Sequence, residues 1–173
     1  TNIKSIVTIH DLIYLRYPNL FSKIDRKIYD IKFRSACKRA NRIIAVSEQT
    51  KKDIIKYFKI DKNKISVVYQ GCSKTFQKEK GIKEINACIS KYRLPKKYLL
   101  YVGSIEERKN LLTLLKSMTI LTNETLVVIG DGKIYKKKCL EFIKKNKLEK
   151  RIIIISNLDL DTMACIYQRA DIM

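Results

Sequence analysis

What the chain lacks narrows its chemistry before any motif is considered. It has a single histidine, His10, and five dispersed cysteines, Cys37, Cys72, Cys88, Cys139 and Cys165, none in a CxxC pair. That pattern offers neither a zinc set nor an even-numbered disulfide framework, and reduced thiols of a cytosolic protein are expected. There is no HExxH, no GxxxxGK[ST] loop, no GxGxxG after a strand and no GxSxG elbow. Zinc peptidases, P-loop ATPases, simple dinucleotide binders and serine hydrolases of the elbow type are therefore disfavoured. No aromatic RNP-type strand supports RNA binding. No apolar run approaches a membrane span, no secretory signal is visible, and there is no internal repeat. Acid is also scarce: 17 Asp and Glu stand against 37 Lys and Arg, a formal net charge of +20. Such a surplus favours polyanionic company, with phosphorylated substrates or an anionic membrane surface weighed ahead of nucleic acid.

What is present is globular. Hydrophobic residues make up 46% of the 173 and are spread along the whole length, enough for one good-sized domain or parts of two. The chain opens on Thr1 rather than methionine and ends at Met173 just after an apolar pattern, so it reads as a segment open at both ends. Short β-branched runs alternate with helical periods. Residues 5–9, 42–46 and 65–69 read as strands; 22–40 and 47–58 read as helices, with Ser22, Asp25 and Ser47 as N-terminal caps and Ile24, Ile28 and Ile31 on one face. Residues 70–86, with two glycines and many charges, read as a connector. The alternation then resumes, with strands at 98–102, 126–130 and 151–155 and helices near 110–122, 134–146 and 160–169. The fold class expected is α/β: parallel sheets with helical crossovers and strands covered on both faces. The domains expected are 1–70, a connector over 71–94, and 95–173.

Ligands of such sheets sit beyond the carboxyl ends of the strands. After the strand at 98–102 the chain reads GSIEERKNLL. Gly103 permits a tight turn or close approach of a ligand, Asn110 can cap the helix, and free N–H groups at the helix start suit an anion. Arg108 can grip phosphate with a bidentate fork and Lys109 can add a mobile charge. The alternative is an ordinary strand–turn–helix corner with two solvated cations. His10 ends the strand at 5–9, where an imidazole can bond a substrate hydroxyl or instead satisfy a neighbouring backbone group; Asp11 orients it or caps the next turn. The GDGK after 126–130 reads first as a tight turn, with Gly130 and Gly132 at positive φ. Ser156, Asn157 and Leu158 lie at the same carboxyl edge as Gly103.

In order, IVTIHDL, ANRIIAVSEQTKKDII (40–55), KISVVYQG (64–71), YLLYVGSIEERKNLLTLL (98–115), LVVIGDG (126–132) and IYQRADI (166–172) resemble the successive signatures of glycosyltransferase family 4. The resemblance spans nearly the whole chain and rests on the ordered set. It implies the GT-B fold, with two Rossmann-like domains, both incomplete here, and a retaining transfer of a hexosyl group from a UDP- or GDP-sugar to a polysaccharide or lipid-linked acceptor. No catalytic metal and no cofactor are implied, and no nucleic acid partner. The TIHDL…YP opening is nearest to members that build bacterial surface polysaccharides, many of them mannosyltransferases. By resemblance, His10 contacts the donor sugar, Arg108 and Lys109 hold the diphosphate, Gly103 admits it, and the Leu158 backbone meets the base. Three departures stand out: Ser104 where many members have arginine, Ser156 where the family has glycine, and an end that precedes the paired-glutamate segment. On that basis these residues alone are expected to be inactive, and the enzyme is expected in the cytoplasm, peripheral on the inner face of the membrane.

Overall fold

The β-branched runs form six short strands in two all-parallel sheets, β1-β2-β3 and β4-β5-β6, in a computed structural model that describes residues 3–173. The chain divides into two units, Thr1–Gly71 and Cys72–Met173. Each has the βα alternation of a Rossmann-like domain.

The first unit runs β1 (Ile6–Ile9), α1 (Ile13–Arg16), α2 (Lys23–Arg39), β2 (Arg42–Ala45), α3 (Glu48–Phe58) and β3 (Ile65–Val67). Its register pairs Val7 with Ile43, Ile9 with Ala45, and Ile43 with Ile65. Because side chains alternate across a sheet, these residues share one face, and that face packs on Cys37, Ile54 and Phe58. Ser22 and Ser47 cap α2 and α3, each accepting a backbone N–H at 3.0 Å, from Asp25 and Thr50 respectively. The other sheet face, with Ile6, Thr8, Arg42 and Ser66, is exposed among the described residues. The isoleucine face of α2 lies toward water as well, and the core takes Phe33 and Cys37 from this helix, with Phe33 packed on Tyr29 and Tyr14.

The second unit runs α4 (Lys74–Gln77), α5 (Ile82–Lys91), β4 (Leu99–Val102), α6 (Leu111–Ile120), β5 (Leu126–Ile129), α7 (Ile134–Lys145), β6 (Ile152–Ile155) and α8 (Leu160–Arg169). The segment 71–94, expected as a connector, holds two helices of this unit: α4 and α5 both pack on α8. Lys80 explains the attachment, its ammonium lying 2.9 Å from Glu84 and 2.8 Å from Asp161, while Gln168 bonds the Lys78 carbonyl and the Lys80 N–H. An edge-on contact of Phe76 with Tyr167, ring centroids 5.4 Å apart, joins these polar contacts in docking α4. Two apolar clusters flank this sheet. Leu111, Leu115, Met118, Cys139 and Ile143 cover one face, and Leu94, Tyr98 and Ile166 the other. All four residues of β5 are buried.

Candidate functional site

Past α8 the chain returns along the free edge of β4: Ile172 bridges Leu99 in parallel, and its carbonyl accepts the Leu100 N–H at 2.8 Å. β4 thus has β5 on one side and the returning chain on the other. The crossovers leave in opposite directions from this strand, which makes its carboxyl end a topological switch point, where open α/β sheets form a crevice. Gly103 is the first residue beyond it.

The crevice is built by two loops in backbone contact. Gly103 has φ +152°, within the region that favours glycine, and its N–H donates to the Ile129 carbonyl at 3.0 Å. The Ile105 N–H reaches the Asp131 carbonyl at 2.7 Å. A Cβ on Gly130 would strike the Gly103 carbonyl oxygen, and one on Gly132 the Ile105 carbonyl oxygen. Neither of those two glycines is at positive φ. The GDGK glycines are therefore there for close approach between loops, and the expectation of a turn that uses positive φ at both is corrected. Buried Ile105, 1% exposed, anchors the 103–105 loop in the core.

Arg108 and Lys109 follow on a 3-10 turn, Glu107–Lys109, both exposed. Arg108 Nε donates to Glu106 at 2.8 Å, and its terminal nitrogens bond nothing else among the described residues. Lys109 makes no ion pair among the described residues. Asn110 stands at the N-cap of α6 in the left-handed conformation, φ 54°, but its side chain caps no backbone group; it accepts instead from the Thr113 hydroxyl. One helix-start donor is already taken, since the Leu112 N–H bonds the Tyr135 hydroxyl at 3.0 Å. The expected cluster of free helix N–H groups is thus smaller than the sequence suggests, and the cations carry more of the positive field. Asp131 faces Lys136 at 2.7 Å and accepts the Gly132 N–H; the Lys136 hydrogen bond, with the backbone bond after it, holds its carboxyl below the ordinary range. After β6, Asn157 takes positive φ, 58°, beside Ser156, and Leu158 is half-buried against the second apolar cluster. Parallel pairing of β4, β5 and β6 brings Gly103, Gly130 and Ser156 to one edge.

In the first unit, His10 follows β1 and is exposed. Its carbonyl accepts the Thr50 hydroxyl at 3.0 Å, and buried Thr50 thereby ties the strand end to the start of α3. The imidazole makes no hydrogen bond among the described residues, so it satisfies no backbone group. Asp11 caps, its carboxylate accepting the Ile13 N–H at 3.1 Å. Three contributors escaped sequence reasoning: Glu106, which orients Arg108; Tyr135, which occupies a helix N–H; and Thr50. Their partners are remote or irregular in sequence, and only the sheet packing brings Tyr135 to α6. Among the described residues no cluster of three His, Cys, Asp or Glu side chains could hold a metal, and no helix is long and apolar enough to cross a membrane.

Two Rossmann-like parallel sheets, one carrying a cationic loop at its switch point, define the class as GT-B glycosyltransferase architecture. Residues 1–75 match Glycosyltransferase Family 4 and residues 83–173 match Glycosyl transferases group 1. The second match covers more than half of the chain, which belongs to the Glycosyl transferases group 1 family. The chain is 22% identical over 165 residues, 95% of its length, to the O-antigen chain mannosyltransferase RfbU of Salmonella typhimurium, of which it covers 43%. It is 26% identical over 123 residues, 70% of its length, to the O-antigen chain mannosyltransferase B of Escherichia coli, of which it covers 32%. It superposes on the crystal structure of Anabaena HepE in complex with UDP and glucose with a TM-score of 0.78 and 16% identity, covering 98% of this chain and 45% of that one. The chain thus spans less than half the length of these relatives.

Proposed function

We propose that the whole protein is a retaining hexosyltransferase, of mannosyl type, that moves sugar from a UDP- or GDP-sugar to a polysaccharide or lipid-linked acceptor. The observation that carries the reading is the switch-point crevice beyond β4, whose two glycine loops meet at backbone distance and whose rim presents Arg108 and Lys109. The family membership and the O-antigen mannosyltransferase relatives support the sugar class, and the UDP and glucose bound to HepE support a nucleotide-sugar donor.

In this reading the donor diphosphate lies over Gly103, with the Lys109 ammonium and the free terminal nitrogens of Arg108 on its oxygens. Breaking the glycosidic bond leaves a nucleoside diphosphate with an added negative charge, and cations already in place stabilise that charge more than they stabilise the donor. The magnitude depends on water. At 4 Å one charge pair is worth about 1 kcal/mol in bulk water and about 4 kcal/mol at an effective dielectric constant of 20. Exposed cations therefore work once the donor and acceptor displace solvent. The Leu158 backbone meets the base, and for His10 the family resemblance supports the part of sugar contact. Protein cations do the work that a divalent metal does in other transferases, so no metal is required. The enzyme acts in the cytoplasm at the inner face of the membrane, where a lipid-linked acceptor would be presented.

A thermal-shift series on the full-length protein tests this. Each UDP- and GDP-sugar is compared with the free nucleotide, since a ligand selective for the native state raises the melting temperature. A rise with one family of nucleotide sugars is expected. Affinity for RNA or DNA with a steep salt slope, and no response to any nucleotide sugar, would replace this reading with that of a nucleic-acid-binding module.

A further inference from the structure

Three successive carbonyl oxygens after β4, those of Gly103, Ser104 and Ile105, are turned into the protein. The Gly103 oxygen lies where a side chain on Gly130 would begin, and the Ile105 oxygen where one on Gly132 would begin. The Ser104 oxygen between them is held differently. The Tyr101 hydroxyl donates to it at 3.2 Å and the Glu106 N–H at 3.0 Å. The other end of the same peptide unit is fixed as well, because the Ile105 N–H donates to the Asp131 carbonyl at 2.7 Å. A peptide unit anchored at both ends cannot rotate without losing a bond at each. The Glu106 N–H belongs to the loop and moves with it, so the Tyr101 hydroxyl is what ties this carbonyl to the sheet.

Tyr101 reaches the loop because of its place in β4. Side chains alternate across a strand, and Leu99 and Tyr101 both face the cluster of Leu111, Leu115 and Cys139. The Tyr101 ring extends toward the carboxyl end of the strand, and its hydroxyl comes within 3.9 Å of the Cβ position of Gly103. Burial, and after it the neighbouring Tyr135, push this phenol above its ordinary range. The hydroxyl therefore keeps its proton at neutral pH and remains a donor.

We propose that Tyr101 is a positioning residue for the donor diphosphate: its hydroxyl keeps the Ser104 carbonyl turned away from the crevice that Arg108 and Lys109 border. The inference rests on the donor-site reading above and assigns that site a residue which touches no substrate. A carbonyl oxygen carries partial negative charge. Swung into the crevice, it would oppose the field of the two cations where the diphosphate lies, and fixed dipoles serve an anion only when they are oriented before it arrives. The glycine contacts keep the Gly103 and Ile105 oxygens out of the crevice by shape; the Tyr101 hydroxyl does the same for Ser104 by hydrogen bonding.

Tyr101→Phe in the full-length protein removes the hydroxyl and keeps the ring. Tyr98→Phe is the matched control: it deletes a bond of the same kind, 2.7 Å to the Ile166 carbonyl, from a buried tyrosine just before β4 that packs on the opposite face of the sheet. Affinities for UDP and GDP, and for uridine and guanosine, which carry no phosphate, are measured by ligand-observed NMR titration. For the base that the parent protein binds, Tyr101→Phe should weaken the nucleoside diphosphate about fivefold or more, the loss of about one hydrogen bond's worth of binding, and leave the nucleoside within about twofold. Tyr98→Phe should lower the melting temperature and leave both affinities unchanged. An unaltered diphosphate affinity in Tyr101→Phe, with the parent binding normally, would overturn this inference and leave the donor-site reading standing. Equal weakening of nucleoside and diphosphate, or the same weakening in Tyr98→Phe, would show a merely structural hydroxyl and would also overturn it. A parent protein that binds neither UDP nor GDP would refute the donor-site reading and this inference with it.

Discussion

The two sheets share a strand number, a pairing direction and the same βα alternation, yet they are built to different depths. The β4–β6 sheet lies between two apolar clusters, and β5 is buried throughout. The β1–β3 sheet has one cluster, with Ile6, Thr8, Arg42 and Ser66 exposed on its other face. Parallel sheets are normally covered on both faces, and among the described residues only the second unit supplies cover for both. The contrast shows that a strand's apolar run reports how many faces can be covered, while the helices decide how many are. The enclosed sheet holds its loops at fixed backbone distance.

The comparison breaks most sharply in the core. Leu115→Ala, at a position with 0% exposure, should cost about 3 kcal/mol in denaturant unfolding. Ile24→Ala on the outer face of α2 should change stability by less than about 0.5 kcal/mol; a large loss there would mean that this face is packed. Next is the loop contact. Gly130→Ala must push the 103–105 backbone aside and should cost about 2 kcal/mol, with weaker nucleotide-sugar response, while Gly71→Ala, whose Cβ meets nothing within 4 Å, should be close to neutral. At the rim, Lys109→Ala in the full-length protein should cut sugar-transfer rate at least tenfold, about 1.4 kcal/mol, with an unchanged melting temperature; near-normal turnover removes Lys109 from the donor site. The caps give a smaller contrast. Ser22→Ala should cost about 1 kcal/mol, whereas Asn110→Gly should stay within about 0.5 kcal/mol, since Asn110 caps no N–H and glycine accepts its left-handed backbone. Smallest is a pH effect. Asp131 has a lowered folded-state pKa, chiefly through the Lys136 hydrogen bond, so its contribution is complete above the ordinary aspartate range and is lost as pH falls through the lowered value. Lys136→Met should move the Asp131 carboxyl titration upward by NMR; an unmoved titration would deny the pair.

Where the candidate residues stand was legible beforehand, because strand ends in a parallel sheet are ligand-facing by geometry: Gly103, Arg108 and Lys109 follow β4, and His10 follows β1. Other parts were not legible. Periodicity put Ile24, Ile28 and Ile31 on one face of α2 without saying which side the core would use, and the core uses the other. Residues 71–94 read as connector because their charges and glycines masked two short helices, which Lys80 and Gln168 fasten through polar contacts and Phe76, Cys88 and Ile89 through apolar ones. The GDGK glycines read as turn residues because sequence shows a glycine without the neighbour that demands it.

Sequence by itself determined the order of strands and helices, the α2 and α3 caps and the family signature, since each depends on residues close together along the chain. Tertiary structure alone decided which faces were covered, that β4 became the switch point, and that Gly130 had to yield room to Gly103, because these follow from distances between segments that meet only once each sheet has assembled.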